Sequence, residues 1–223
     1  MLDAEREQVA AACRRLAEQG LVIGTAGNVS ARSGEHVAMS ATGVVLADAT
    51  PEQVTVVDRD GAVVAGELEP TSEVDLHLGV YRRYDAGAVV HTHAPMATAL
   101  SCVLEDELPC VHYQMLLLGG PVRVARYATF GTPELAESVI EALEGRAAAL
   151  MANHGAIAHA ADLPTAVEHS LLLEWACTVY WRARAIGEVR ALDERQREAV
   201  VQAAVERRYG STHRIGEDSP SDG

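Results

Sequence analysis

Residues 69–98 read EPTSEVDLHLGVYRRYDAGAVVHTHAPMAT, a run that predicts a helix and a strand whose ends meet at one site. Pro70-Thr71-Ser72 interrupts the preceding chain and supplies hydroxyls for a helix start, with Ser72 and Asp75 at capping-box spacing. Val74, His77, Leu78 and Tyr81 recur at helical spacing and predict one buried face. Glu73 falls in the expected first turn, where free amides and the helix dipole favour negative charge. After Tyr84-Asp85-Ala86-Gly87, the residues from Ala88 to His93 predict a buried strand. Side chains alternate across a strand, so His91 and His93 share a face. Two histidines so spaced, with a carboxylate upstream, make a candidate transition-metal site.

Outward from this run, residues 3–19 predict an amphipathic helix stopped at Gly20. Gly24 to Arg32 (GTAGNVSAR) holds two glycines and an asparagine, a composition that suits either a phosphate-holding loop or an ordinary tight turn. Ser40-Ala41-Thr42-Gly43 is a second hydroxyl-rich turn, and residues 54–57 and 62–64 predict a hairpin. Further helices are expected over 95–104, over 133–143 with Thr132 as cap, from 162 to about 185, and over 193–208. Residues 147–151 predict a buried strand that leads into Asn153-His154-Gly155. Interspersed helices and strands, with hairpins among the strands, imply a mixed sheet covered by helices. The polar stretch 211–223 is expected to be a flexible tail.

Nine histidines are present. His36, His159, His169 and His213 have the surroundings of structural or exposed residues, and His77 lies on an apolar helix face as a core residue supporting the site. His91 and His93 sit in an apolar strand, where unpaired polar groups are costly. His154 follows another apolar strand and can meet them. Three histidines with an open fourth position is the pattern of a catalytic zinc.

Composition narrows the function classes. The chain has 223 residues, 48% of them hydrophobic, and a net charge of −14. That charge argues against nucleic acid and anionic membranes as partners. An anionic substrate must therefore be captured by a local pocket of amides and hydroxyls. The four cysteines form no CxxC pair, the first residues are acidic, and no apolar run approaches a bilayer span, so a reducing cytoplasmic setting is expected. All 18 basic residues are arginine. Without a lysine there is no Schiff-base chemistry.

Taken together, GTAGNVSAR (24–32), SATG (40–43), PTSEVDLH (70–77), AVVHTHAPMATALS (88–101), HYQMLLLGG (112–120), RYATFGTPEL (126–135) and NHGAIA (153–158) resemble the zinc-dependent class II sugar-phosphate aldolases of the aldolase/adducin family, the L-fuculose-1-phosphate branch in particular. The resemblance covers residues 1–210. It implies a three-layer α/β/α domain around a mostly antiparallel sheet, in a C4 homotetramer with active sites at subunit interfaces. It makes His91, His93 and His154 the ligands of one zinc per subunit, and Glu73 the catalytic base and a fourth ligand when substrate is absent. It places Thr25, Asn28, Thr42, Gly43, Thr71 and Ser72 in a phosphate pocket, Tyr113 as a proton donor in a neighbouring subunit's site, and Tyr209 on a substrate-binding C-terminal segment. Asn153 departs from the pattern, since the fuculose enzymes have a second histidine there.

The implied reaction is retro-aldol cleavage of a ketose 1-phosphate to dihydroxyacetone phosphate and a small aldehyde such as lactaldehyde. Related folds host a ribulose-phosphate 4-epimerase, a methylthioribulose-phosphate dehydratase and the non-enzymatic adducin-like domains. The epimerase has an acidic residue in the segment matching HYQMLLLGG, where this chain has none, and a scaffold needs neither the three histidines nor Glu73.

Overall fold

The computed structural model describes residues 1–210; the expected flexible tail lies outside the described residues. Six α-helices run over Asp3–Glu18 (α1), Val74–Arg83 (α2), Pro95–Ser101 (α3), Pro133–Ala142 (α4), Leu163–Ile186 (α5) and Glu194–Glu206 (α6). Nine strands run over Asn28–Ser33 (β1), His36–Ser40 (β2), Val54–Asp58 (β3), Val63–Ala65 (β4), Ala88–Thr92 (β5), Glu107–Leu108 (β6), Val122–Ala125 (β7), Ala148–Met151 (β8) and Gly155–Ala160 (β9). They form one sheet in the order β4-β3-β2-β1-β5-β9-β8-β7-β6. Every pairing is antiparallel except β7 with β8.

Strand β5 occupies the centre, and all five of its residues are buried. Its side chains alternate between two cores. Ala88 and Val90 join the cluster under α1, α3 and α5, while Val89 joins the one under α2 and α4. His91 is in phase with Val89 and therefore faces the α2 side. The expected three-layer α/β/α arrangement around a mostly antiparallel sheet is what forms. Small core residues make it possible: α5 buries Ala166, Val167, Ser170, Leu173, Ala176 and Cys177 along one stripe. Burying a leucine or valine side chain stabilises the fold by about 1.5–3 kcal/mol each.

Of the four helices whose sequence carries a capping signal, α4, α5 and α6 follow it and one does not. Thr132 accepts from the Leu135 amide at 3.3 Å, Asp162 from Thr165 at 2.8 Å, and Asp193 closes a capping box with Gln196. The exception is α2, where the Ser72/Asp75 box does not form and Glu73 is the N-cap residue without a side-chain cap bond. Thr71 takes over instead, its hydroxyl accepting from the Glu73 amide at 3.3 Å and its carbonyl from Val74 at 3.2 Å. This substitution leaves the side chain of Glu73 free to point elsewhere. Strands β1, β6, β7 and β9, the first of them in a stretch that reads as a loop or tight turn, and the 3-10 turn Tyr113–Leu118 also lie where no strand or helix is expected. No helix among the described residues is long and apolar enough to cross a membrane.

Gly155, the first residue of β9, fixes how closely that strand approaches β5. A Cβ there would lie 2.3 Å from the Thr92 carbonyl oxygen and 3.5 Å from the His91 ring. Gly155→Ala must therefore push the two strands apart. A loss of about 1–3 kcal/mol is expected, read as a lower urea midpoint.

Candidate metal centre and active-site cleft

His91, next to last in β5, is fully buried, and its Nδ1–H donates to the Ala156 carbonyl at 2.9 Å. That bond fixes the tautomer and leaves the Nε2 lone pair facing the site. His93 lies just beyond β5, its Nε2 3.0 Å from that of His91. The segment after it is held from α5: both Glu174 carboxylate oxygens accept the first amides of α3, from Met96 at 2.9 Å and Ala97 at 2.8 Å. His154 comes from the turn between β8 and β9. Asn153, at φ 54, makes that turn possible, because asparagine tolerates the left-handed region. The three rings meet edge-on with centroids 4.8 to 5.0 Å apart, and their ligating nitrogens all lie within 4.8 Å of one another.

Glu73 completes the cluster. Its Oε2 is 3.3 Å from His91 Nε2, and its Oε1 is 3.7 Å from His154 Nε2. Oε1 is buried and accepts no hydrogen bond among the described residues. Converging imidazole nitrogens beside an unpartnered carboxylate oxygen fit a divalent cation with nitrogen and oxygen ligands. Tetrahedral bonds of roughly 2.0–2.1 Å would set the nitrogens about 3.4 Å apart, close to the separation of His91 and His93. Burial, and then the charges of His91 and His154, hold the His93 ring down at about 4, and burial and His91 lower His154. Both are then neutral and competent to ligate near pH 7. Burial alone pushes the Glu73 carboxyl up, but His91, the Asn28 amide, His154 and His77 together hold it below its ordinary range.

Beside this cluster opens a cleft of about 440 Å³. Thr25, Asn28, Thr42, Gly43, Thr71 and Ser72 all line it, together with Glu73, His93 and His154. Backbone pairing brings these segments together. Thr71 N–H donates to Ser40 O at 3.2 Å and Thr42 N–H to Glu69 O at 3.0 Å, so the 40–43 turn abuts the start of α2. Gly27, at φ 99, lets the 24–28 loop press on β5, since a Cβ would lie 2.8 Å from the His91 carbonyl. The Asn28 side chain is turned inward, donating to Glu73 Oε2 at 2.8 Å. Tyr113 and Tyr209 do not line the cleft; their hydroxyls lie 3.1 Å apart on the surface. Tyr127, Phe130 and Asn153 do line it. The exposed aromatics Tyr127 and Phe130 carry no local pattern that marks them as site residues.

Fold and site define an α/β/α domain with a candidate metal centre beside a hydroxyl-lined cleft, and known proteins share this fold. Residues 7–181 match the class II aldolase and adducin N-terminal domain, and the chain belongs to that family. It is 39% identical over 201 residues to a 5-deoxy-D-ribulose 1-phosphate aldolase of Bacillus thuringiensis, covering 89% of this chain and 94% of that one. It is 38% identical over 193 residues to a 5-methylthioribulose-1-phosphate/5-deoxyribulose-1-phosphate aldolase of Rhodospirillum rubrum, covering 86% of each. The structure superposes on an L-fuculose 1-phosphate aldolase with a TM-score of 0.86 at 35% identity, covering 90% of this chain and 95% of that one. These relatives are named as aldolases, carbon–carbon lyases of a metal-dependent class.

Proposed function

We propose that the protein is a zinc-dependent lyase that reversibly cleaves a ketose 1-phosphate to dihydroxyacetone phosphate and a short aldehyde. The observation that carries this is the buried, unpartnered Glu73 Oε1, set beside three imidazoles in a cleft rich in hydroxyls. Zinc held by His91, His93 and His154 supplies a Lewis acid whose charge three neutral ligands leave intact, beside the oxygens where negative charge develops. Glu73 returns the proton to the carbon next to the carbonyl during cleavage and removes it during synthesis. The hydroxyls of Thr25, Thr42, Thr71 and Ser72, with the amides of the adjoining turns and of the α2 start, hold the phosphate. They do so without lysine, inside a chain of charge −14. Because Ser72 and Glu73 are adjacent, the phosphate and the proton-transfer site keep a fixed separation.

The aldehyde end is the variable part. Relatives named for 5-deoxyribulose 1-phosphate share 39% and 38% identity with this chain, against 35% for the L-fuculose 1-phosphate aldolase structure, which supports the 5-deoxy sugar, or its methylthio counterpart, ahead of L-fuculose 1-phosphate. Tyr127 and Phe130 offer apolar surface for a terminal methyl group. The proposed assembly is a homotetramer in the cytoplasm, with Tyr113 delivered to a neighbour's cleft and Tyr209 beside it. In support, α6 buries none of its residues within the chain and exposes Val201 and Val205.

A retro-aldol screen of the 1-phosphates of 5-deoxyribulose, methylthioribulose, ribulose and fuculose tests the proposal. Release of dihydroxyacetone phosphate is expected, fastest from the 5-deoxy or methylthio sugar. Epimerisation of ribulose 5-phosphate with no cleavage of any 1-phosphate would overturn it.

A further inference from the structure

Five polar side chains run in single file from the far end of α2 into the cleft. Glu73, His77 and Tyr81 are four residues apart, which stacks them about 6 Å apart along one helix face. Asn28 and Ser30 are two apart on β1, a separation of roughly 6.6–7 Å. They lie on the strand face turned toward α2, since Val29 and Ala31 enter the opposite core. The spacings nearly match, so the strand side chains interleave with the helix ones. Tyr81 Oη lies 2.7 Å from Ser30 Oγ, and Ser30 Oγ 2.6 Å from His77 Nδ1. His77 Nε2 then lies 2.5 Å from Asn28 Oδ1, and Asn28 Nδ2 2.8 Å from Glu73 Oε2. All five residues are buried.

Proton bookkeeping gives this file one direction. A carboxylate only accepts, so the Asn28 amide must present Nδ2 to Glu73 and Oδ1 to His77. His77 must then carry its proton on Nε2. Burial holds that ring down at about 3, so it is neutral and its Nδ1 can only accept. Ser30 must donate to Nδ1, and Tyr81 must donate to Ser30. Burial pushes the Tyr81 hydroxyl up, which keeps its proton in place. Reversing any one link sets two lone pairs or two protons face to face. Aligned bonds of this kind polarise one another.

We infer that Ser30, His77 and Tyr81 are positioning residues: through Asn28 they lock one oxygen of Glu73, Oε2, and so leave Oε1 as the only oxygen that exchanges a proton with substrate. The inference deepens the reading of Glu73 as base and rests on it. A file that served only to satisfy buried polar groups would show in stability alone. A positioning file shows in the rate of the step that needs the aligned carboxylate.

The zinc-loaded protein provides the test. Ser30→Ala removes the donor to His77 without touching either neighbour of Glu73. It is expected to lower kcat by about 10- to 100-fold, with KM for 5-deoxyribulose 1-phosphate and zinc content near wild-type values. Tyr81→Phe, one link further out, should lose less. His77→Gln keeps an N–H for Asn28 and should retain most of kcat, whereas His77→Leu should not. Imidazole 15N spectra should place the His77 proton on Nε2, with the Nδ1 resonance moved by Ser30→Ala. Wild-type kcat in folded Ser30→Ala, equal kcat in the two His77 variants, a kcat loss matched by zinc loss, or a proton on Nδ1 would each overturn the inference. Should the wild type cleave none of the sugars, the functional reading falls, and the spectrum alone then decides the direction of the file.

Discussion

Glu73→Gln is expected to fold, to keep its metal, and to lose on the order of 10²- to 10⁴-fold in the rate at which it exchanges the C3 proton of dihydroxyacetone phosphate. The substitution changes neither volume nor the bond from Asn28, whose Nδ2–H can donate to the glutamine carbonyl as it does to Oε2. What changes is the second position. Oε1, buried and without a donor, becomes an amide nitrogen that cannot take a proton. Exchange followed by proton NMR, with metal content measured on the same sample, separates loss of the base from loss of the site. Wild-type exchange in a metal-replete variant would exclude Glu73 from the proton transfer.

The parts of this site that are local in sequence could be read from it. His91-x-His93 in an apolar strand, and Glu73 at a helix start after Pro70-Thr71-Ser72, depend on periodicity and capping chemistry within a few residues. Even there the capping box was misleading, because Ser72 and Asp75 have the right spacing while Thr71, one residue earlier, makes the bonds. The spacing cannot say which hydroxyl wins when the adjacent carboxylate is needed in the cleft. Contacts between distant segments were illegible for a different reason. Glu174 caps α3 from 77 and 78 residues away, and nothing near either end marks the pairing. His77 and Tyr81 sit among Leu76, Leu78 and Val80, so they read as members of an apolar face. Only the register of β1 against α2 turns them into a polar file. Strand β9 carries no sequence signal because half of Gly155 to Ala160 is alanine, which leaves little polar–apolar alternation to detect.

The metal is expected to contribute stability as well as chemistry, because its ligands come from segments that are far apart in sequence. His91 and His93 leave the end of β5, while His154 sits on the β8–β9 turn, and β9 pairs with β5. An ion bound to all three ties that strand pair at its open end and is absent from the unfolded chain. Binding at 100 times its dissociation constant therefore adds about 2.7 kcal/mol. Complete chelation should abolish cleavage and lower the thermal midpoint, and zinc should restore both. His154→Ala should lose activity to the same extent, with a midpoint that chelators no longer move. Acid acts on the same rings. In the unfolded chain these histidines bind protons near pH 6.5, whereas in the folded one His93 does so only near 4 and His77 near 3. Between those limits the unfolded state holds more protons, so stability falls as pH drops through the window. In the zinc-loaded protein the unfolded chain gains the same protons, and protons that displace the ion remove its contribution as well. The gap between the acid-unfolding curves of the loaded and chelated proteins should therefore be widest near neutral pH and close as pH approaches 4. Full activity in metal-free protein, or parallel curves for the two forms, would show that the three histidines hold no functional ion.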